Sequence, residues 1–133
     1  MTDIFSKSKR SEIMGKIRSN DTGPELMLSK AFRRNGVRNF VRYGSILGKP
    51  DFVFRKAKVA VFVDGAFWHG YGYTKIKRKL SPFWRDKIKR NMERDALVNR
   101  KLKKDGWKVI RICDRDLRKD PNGYANEIKM AII

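Results

Sequence analysis

The order of hydrophobic and polar positions predicts a helix first and a set of strands after it. Residues 22–25 have the features of a helix start, with Thr22 as a hydroxyl N-cap, a proline in the first turn and the acid Glu25 three residues after the cap. We therefore predict a helix from this point to Gly36. A shorter helix is expected over roughly residues 8–18, after a flexible basic arm at residues 1–8.

Four apolar runs predict strands, at residues 38–43, 51–54, 59–63 and 107–113. The third run, VAVFV, is continuously apolar and mostly β-branched, which is typical of a strand buried on both faces. Residues 56–58 can turn the chain between the second and third runs, so that these two form a hairpin.

Ser81 and Pro82 predict the start of a long helix that ends at Gly106. At about 100° per residue, its apolar residues fall within one arc. These residues are Trp84, Ile88, Met92, Val98 and Leu102. Asp95 lies at the centre of this arc, where an unpaired carboxylate is costly. We expect a partner there, either a core arginine or lysine or the histidine His69.

A short turn or helix is expected around Leu117, and a closing helix over residues 124–133. Helices thus flank a group of strands in the order helix, strands, long helix, strand, helix. This order predicts a single α/β domain over residues 1–133, built around one mixed sheet.

The charge of the chain indicates a polyanionic partner. Lysine and arginine total 33 against 14 aspartate and glutamate, which gives a net charge of +19. Such a charge on a small chain is typical of nucleic-acid binding. The residues expected to contact DNA phosphates are Lys75, Lys77, Arg78 and Lys79.

Several classes of protein are disfavoured by composition. A single cysteine excludes an internal disulfide framework, and one cysteine with one histidine disfavours structural zinc. No apolar run approaches the roughly 18 residues of a membrane span. We expect no membrane partner and a cytoplasmic, nucleoid-associated or DNA-bound location.

The predicted hairpin brings two carboxylates together. Asp51 stands at the head of its first strand and Asp64 at the end of its second. Two such carboxylates repel unless a cation lies between them, and Mg²⁺ is the natural oxygen-liganded ion. The alternative is that both residues belong to ordinary turns, as Pro-Asp and Asp-Gly pairs often do.

His69 and the aromatic residues before it form the third candidate group. His69 is the only histidine, and its ordinary pKa suits proton transfer at neutral pH. Phe67 and Trp68 either belong to the core or face DNA, where aromatic wedges can unstack bases. Of the similar pair at 83–84, Trp84 lies on the apolar arc and Phe83 does not.

The motifs in this order resemble those of the very short patch repair (Vsr) endonucleases and of the homing-endonuclease nuclease domains with a Glu-Asp-His-Asp signature. The resemblance covers roughly residues 8–117 of the chain. Its marks are KRS with Met14, DT with Glu25, GKPDFV at 48–53, VFVDG at 61–65, FWH at 67–69, FW at 83–84, NMERD at 91–95 and GWKV at 106–109. These families have the PD-(D/E)xK restriction-endonuclease-like core, so the resemblance implies a three-layer α/β/α sandwich with a central mixed sheet.

The resemblance also implies roles for individual residues. Asp51 would bind the metal, together with the backbone carbonyl of Val63. His69 would activate the attacking water, paired with Asp95, and Glu25 would reach the metal through water. The aromatic residues that would insert into the duplex are Phe67, Trp68 and Trp84.

The chain departs from the repair enzymes at two places. The zinc-ligand positions of those enzymes are occupied here by Ala66, Tyr71, Tyr73 and, roughly, Arg115, so no structural zinc is expected. Asp64 stands where they have a histidine, which leaves it able to act as a second metal ligand. The lysine of the PD-(D/E)xK pattern would fall at Ala66, and its work would pass to His69.

The function predicted is hydrolysis of double-stranded DNA by a Mg²⁺-dependent endonuclease in which Mn²⁺ is able to substitute. We expect a monomer that nicks; a dimer on DNA is the alternative that would break both strands. Repair, intron homing and defence all fit such an activity. Two other functions remain open, a non-catalytic DNA-binding module on a nuclease fold and an RNA-directed nuclease.

Overall fold

The computed structural model describes residues 23–65 and 79–133. Within these ranges the helices are α1 (Gly23–Arg34), α2 (Pro82–Lys104), α3 (Asp114–Lys119) and α4 (Pro121–Ile132). The strands are β1 (Val41–Arg42), β2 (Phe52–Phe54), β3 (Val59–Asp64) and β4 (Lys108–Cys113). The predicted arm at 1–8 and helix at 8–18 lie outside the described residues, and the single domain over 1–133 stays a prediction.

The strands form one mixed sheet in the order β1-β2-β3-β4. β2 runs antiparallel to both β1 and β3, whereas β3 and β4 are parallel. The predicted hairpin is therefore confirmed, with Phe52 opposite Val61. The long helix α2 makes the crossover that a parallel pair requires.

Successive residues of a strand point to opposite sides of a sheet, and alternate residues of β3 pack in two different clusters. Val59 and Val61 of β3 pack in a cluster with residues of α1, α3 and α4. Ala60 and Phe62 pack in a second cluster with residues of α2. This mixed α/β arrangement is compatible with the predicted restriction-endonuclease-like fold.

The elements end close to where the sequence predicts. Gly36 and Gly106 follow α1 and α2 with φ of 77° and 88°, a left-handed conformation that glycine adopts without strain. The first strand is shorter than predicted, with two residues. The last helix starts earlier, because the Asp120 side chain caps it by accepting a hydrogen bond from the Gly123 amide at 3.0 Å.

The apolar arc of α2 is only partly buried, which corrects one expectation. Trp84, Ile88, Val98 and Leu102 are buried, but Met92 is 39% exposed and belongs to neither core cluster of the described residues. The middle turn of α2 instead carries Asp95, which faces polar groups of the sheet. No helix among residues 23–65 and 79–133 has the length and apolarity that a membrane crossing requires.

Candidate active site

Asp51 is fixed at the edge where the β2–β3 hairpin opens. It immediately precedes β2, and its Oδ2 accepts a hydrogen bond from the Val63 amide at 2.7 Å. The side chain thus binds a backbone N–H of the partner strand just beyond the last paired residues, Phe52 and Val61. This bond holds the carboxylate against the end of β3.

The Asp51 carboxyl lies among other acids. Its pKa is raised from 3.8 to about 8, first by burial and next by a hydrogen bond with Glu25; the charges of Glu25 and Asp64 add to this, and the Val63 amide opposes it. Asp51 and Asp64 therefore do approach each other, as the hairpin predicts. Burial beside these acids thus disfavours the charged form of the Asp51 carboxyl.

Glu25 reaches this site from the first turn of α1 and is only 4% exposed. Its Oε2 accepts a hydrogen bond from the Tyr43 hydroxyl at 2.8 Å, and Arg42 Nη2 lies 3.4 Å from the same oxygen. Arg42 Nη2 also donates to the Tyr43 hydroxyl at 2.8 Å. Tyr43 and Arg42 thus hold Glu25 beside Asp51, and its expected contact with a metal through water stays a prediction.

Tyr43 connects the two acidic residues. Its side chain binds Glu25, and its backbone amide donates to the Asp51 carbonyl at 3.2 Å. Its φ of 53° is a conformation that a bulky residue adopts at a cost. Backbone strain of this kind clusters at functional sites.

Asp64 and Asp95 meet at one arginine. Arg111 Nη1 lies 3.0 Å from Asp64 Oδ1 and 3.5 Å from Asp95 Oδ1. Arg111 Nε donates to Asn99 Oδ1 at 2.8 Å, and its guanidinium lies 4.1 Å from the centre of the Phe62 ring. Of the partners expected for Asp95, an arginine lies beside it in the described part of the chain, and His69 lies outside that part.

Several predicted residues lie outside the described ranges. These are Phe67, Trp68, His69, Lys75, Lys77 and Arg78. Lys79 is described and exposed, as a phosphate contact requires.

Trp84, for which the resemblance implies insertion into DNA, is buried in this structure, and its insertion stays a prediction. Its side chain is 1% exposed and packs in the interior, in line with its place on the apolar arc. Phe83, stacked edge-on against it at 5.1 Å, is 55% exposed. Phe83 is therefore the exposed ring of this pair.

The donor set of the Asp51–Glu25 pair fits a hard divalent cation. Both residues offer carboxylate oxygens, the ligands that Mg²⁺ prefers, and the two side chains lie against each other at the opening of the hairpin. In the part of the chain that the structure describes, no group of three or more histidine, cysteine, aspartate or glutamate side chains is arranged to hold a metal. A metal here would complete its shell with other oxygens, such as water and phosphate.

Four residues of the site were not predicted from the sequence: Arg42, Tyr43, Asn99 and Arg111. Arg111 has a visible signal, because it is a charged residue in the middle of the apolar run KVIRIC. Arg42 and Tyr43 have none, since a polar end to a short strand is common.

The family comparison agrees with these motifs. The family described as DNA mismatch endonuclease Vsr matches residues 2–75. The type II nicking enzyme V.NmeDIP of Neisseria meningitidis serogroup C is 41% identical, with 98% of this chain and 90% of the relative covered. The V.NmeAIP nicking enzyme of serogroup A is 39% identical over 99% of this chain and all of its own length.

The DNA mismatch endonuclease Vsr of Escherichia coli K12 is more distant but still similar along most of both chains. It is 32% identical, with 89% of this chain and 77% of the relative covered. The matched segment of the family includes Glu25, Asp51 and Asp64, the acids that the structure brings together. The chain therefore belongs to the Vsr family of DNA endonucleases.

Proposed function

We propose that this endonuclease is metal-dependent and that Glu25 and Asp51 hold its divalent ion, Mg²⁺ with Mn²⁺ able to substitute. The Val63 carbonyl is a further candidate ligand. When bound, such an ion polarises the scissile phosphate and stabilises negative charge on oxygen. The observation that carries the proposal is the pairing of two carboxylates, both fixed by donors from the protein, at the opening of the hairpin.

The residues around the ion position it and move protons. The Val63 amide keeps Asp51 in place, while Tyr43 and Arg42 keep Glu25 turned toward it. We assign the proton transfer from the attacking water to His69, with Asp95 as its partner. A catalytic histidine fits a site without the lysine of the wider nuclease pattern.

The substrate proposed is double-stranded DNA. The net charge of +19 favours a polyanion, and α2 exposes basic residues to solvent: Lys89, Arg90 and Arg94. Phe67, Trp68 and the exposed Phe83 are proposed to contact bases, and Lys75, Lys77, Arg78 and Lys79 to contact phosphates. Contacts with phosphates position the DNA backbone without reading its sequence.

We propose that the protein acts as a monomer with one site and nicks one strand. Type II nicking enzymes and a mismatch endonuclease among its relatives favour this outcome, in a repair or restriction-modification setting on nucleoid DNA. A dimer on DNA would instead cut both strands.

The test is to incubate supercoiled plasmid with the protein in EDTA, Mg²⁺ or Mn²⁺, beside a matched RNA duplex. The proposal predicts open-circular plasmid only with a divalent ion, and intact RNA. Linear plasmid without an open-circular intermediate would show double-strand cleavage and contradict the nicking assignment. A tight gel shift without cleavage in either metal, on plasmids of varied sequence and mismatched duplexes, would favour the non-catalytic binding module.

A further inference from the structure

Arg111 lies where two secondary-structure elements converge on the site. It belongs to β4 and pairs with Phe62 of the parallel strand β3. Asp95 and Asn99 are one helical turn apart on α2, so both point at the same guanidinium. The side chain is 14% exposed and is engaged through Nη1, Nε and its ring-facing surface.

Asp64 is the most deeply buried partner of this arginine. Its side chain is 4% exposed, and a carboxylate so buried requires a compensating charge. The Arg111 guanidinium supplies that charge at 3.0 Å. Asp64 therefore needs no metal ion to compensate for the burial of its charge, because Arg111 already does so. The Asp51–Glu25 pair differs, because it consists of two acids hydrogen-bonded to each other.

Among the described residues, two arginines lie beside the acids of the site. Glu25, which is hydrogen-bonded to Asp51, lies beside Arg42, whereas Asp64 and Asp95 lie beside Arg111.

We propose that Arg111 is a positioning residue that holds Asp64 and Asp95 through one guanidinium, so that Asp64 is its ion-pair partner and not a ligand of the metal. This proposal rests on the metal-dependent activity proposed above, because it divides that site's acids between a metal and an arginine. The same contact ties the end of β3 to the middle of α2, and thereby fixes Asp95 relative to Asp51.

The first test measures Mn²⁺ binding by calorimetry to the DNA-free protein and to the variants Asp64→Asn and Asp51→Asn. We expect Asp51→Asn to weaken Mn²⁺ binding at least about tenfold more than Asp64→Asn does, since only a lost ligand removes a direct metal bond. Equal weakening in both variants would overturn the proposal, because it would make Asp64 a ligand.

The second test is a thermal double-mutant cycle between Arg111→Gln and Asp64→Asn. Arg111→Gln leaves two carboxylates without their cation and should lower Tm by about 10 °C. Adding Asp64→Asn should restore part of that loss, because it removes one of the stranded charges. Strictly additive losses would overturn the ion-pair assignment.

The third test separates positioning from structural support with Arg111→Lys. Lysine keeps the charge but cannot hold Asp64, Asp95 and Asn99 with one rigid fork. We expect plasmid nicking with kcat reduced about tenfold, an unchanged KM and folding retained at the assay temperature. An unchanged kcat would refute a positioning role.

These three tests also distinguish a failure of this proposal from a failure of the proposed metal-dependent activity. If the wild type fails to nick DNA, the proposed metal-dependent activity fails, while the Mn²⁺ titration and the thermal cycle still decide whether Asp64 belongs to the metal or to Arg111. Should Arg111→Gln fail to fold, the Asp64→Asn and Arg111→Lys arms decide it.

Discussion

Replacing Asp51 by asparagine should stabilise the metal-free protein, although it removes a residue central to the proposed activity. An asparagine has the shape of a protonated aspartate, so it still accepts from the Val63 amide and can donate to Glu25. The aspartate, in contrast, must take up a proton to fit its buried surroundings. The variant should therefore gain stability where the wild type bears the cost of that proton.

The size and sign of this effect follow from the raised pKa of Asp51. The folded protein binds a proton there up to about pH 8, while the unfolded chain releases it above 3.8. A carboxyl group whose pKa is raised in the folded state lowers the free energy of unfolding as pH rises between the two pKa values, by about 1.4 kcal/mol per pH unit. The free energy of unfolding of the wild type should thus fall by about 3 kcal/mol between about pH 5 and pH 7 relative to Asp51→Asn.

The assay is urea unfolding of both proteins in EDTA across this pH range. Asp86→Asn is the matched control, because Asp86 is exposed on α2 and its replacement should leave the wild-type slope unchanged. Saturating Mg²⁺ should stabilise the wild type and not Asp51→Asn. A difference between wild type and Asp51→Asn that stays constant with pH would refute the buried-pair reasoning.

Three further predictions address the Tyr43–Glu25 hydrogen bond, the core and the DNA-binding surface. Tyr43→Phe removes the hydroxyl that binds Glu25, and plasmid nicking should show kcat lowered about tenfold at unchanged DNA affinity; a kcat equal to that of the wild type would contradict this positioning of Glu25. Phe32→Ala should cost about 3–5 kcal/mol in urea unfolding, because the ring is fully buried and lies 5.2 Å from Phe52; a loss below about 1 kcal/mol would contradict its place in the core. Replacing Lys89 and Arg90 by alanine should weaken DNA binding and reduce its salt dependence by about two ions in filter-binding titrations. An unchanged slope of log affinity against log salt concentration would show that DNA does not contact these two residues.

The part of the site that local sequence can encode was predicted. Asp51 and Asp64 stand at the two strand ends that any antiparallel hairpin brings together, so strand bounds alone predict their approach. The N-terminal turn of α1 was equally visible. What it did not reveal was that its acid, Glu25, is buried against Asp51.

The cationic partners depend on contacts between elements far apart in sequence. Arg111 is 47 residues from Asp64, and Arg42 is 17 from Glu25. Their pairing follows from the parallel alignment of β3 and β4 and from the position of α1 over the sheet, neither of which a local pattern fixes. A charged residue inside an apolar strand does predict a buried partner, without saying which one.

A comparison of two residues of α2 shows where helical periodicity fails to predict burial. Trp84 and Met92 both fall on the apolar arc of α2, yet Trp84 is 1% exposed and Met92 is 39% exposed. The arc describes a helix alone, whereas burial depends on what lies opposite each turn. Opposite the turn of Asp95 the sheet presents Arg111 and not an apolar row.

The most direct test of the central claim compares plasmid nicking by the wild type and Asp51→Asn in Mg²⁺, at protein concentrations that give equal DNA occupancy in a gel shift. If Glu25 and Asp51 hold the catalytic ion, Asp51→Asn should bind DNA as well as the wild type or better, and nick it at least about a thousandfold more slowly. Nicking by Asp51→Asn within a few-fold of the wild-type rate would contradict the account.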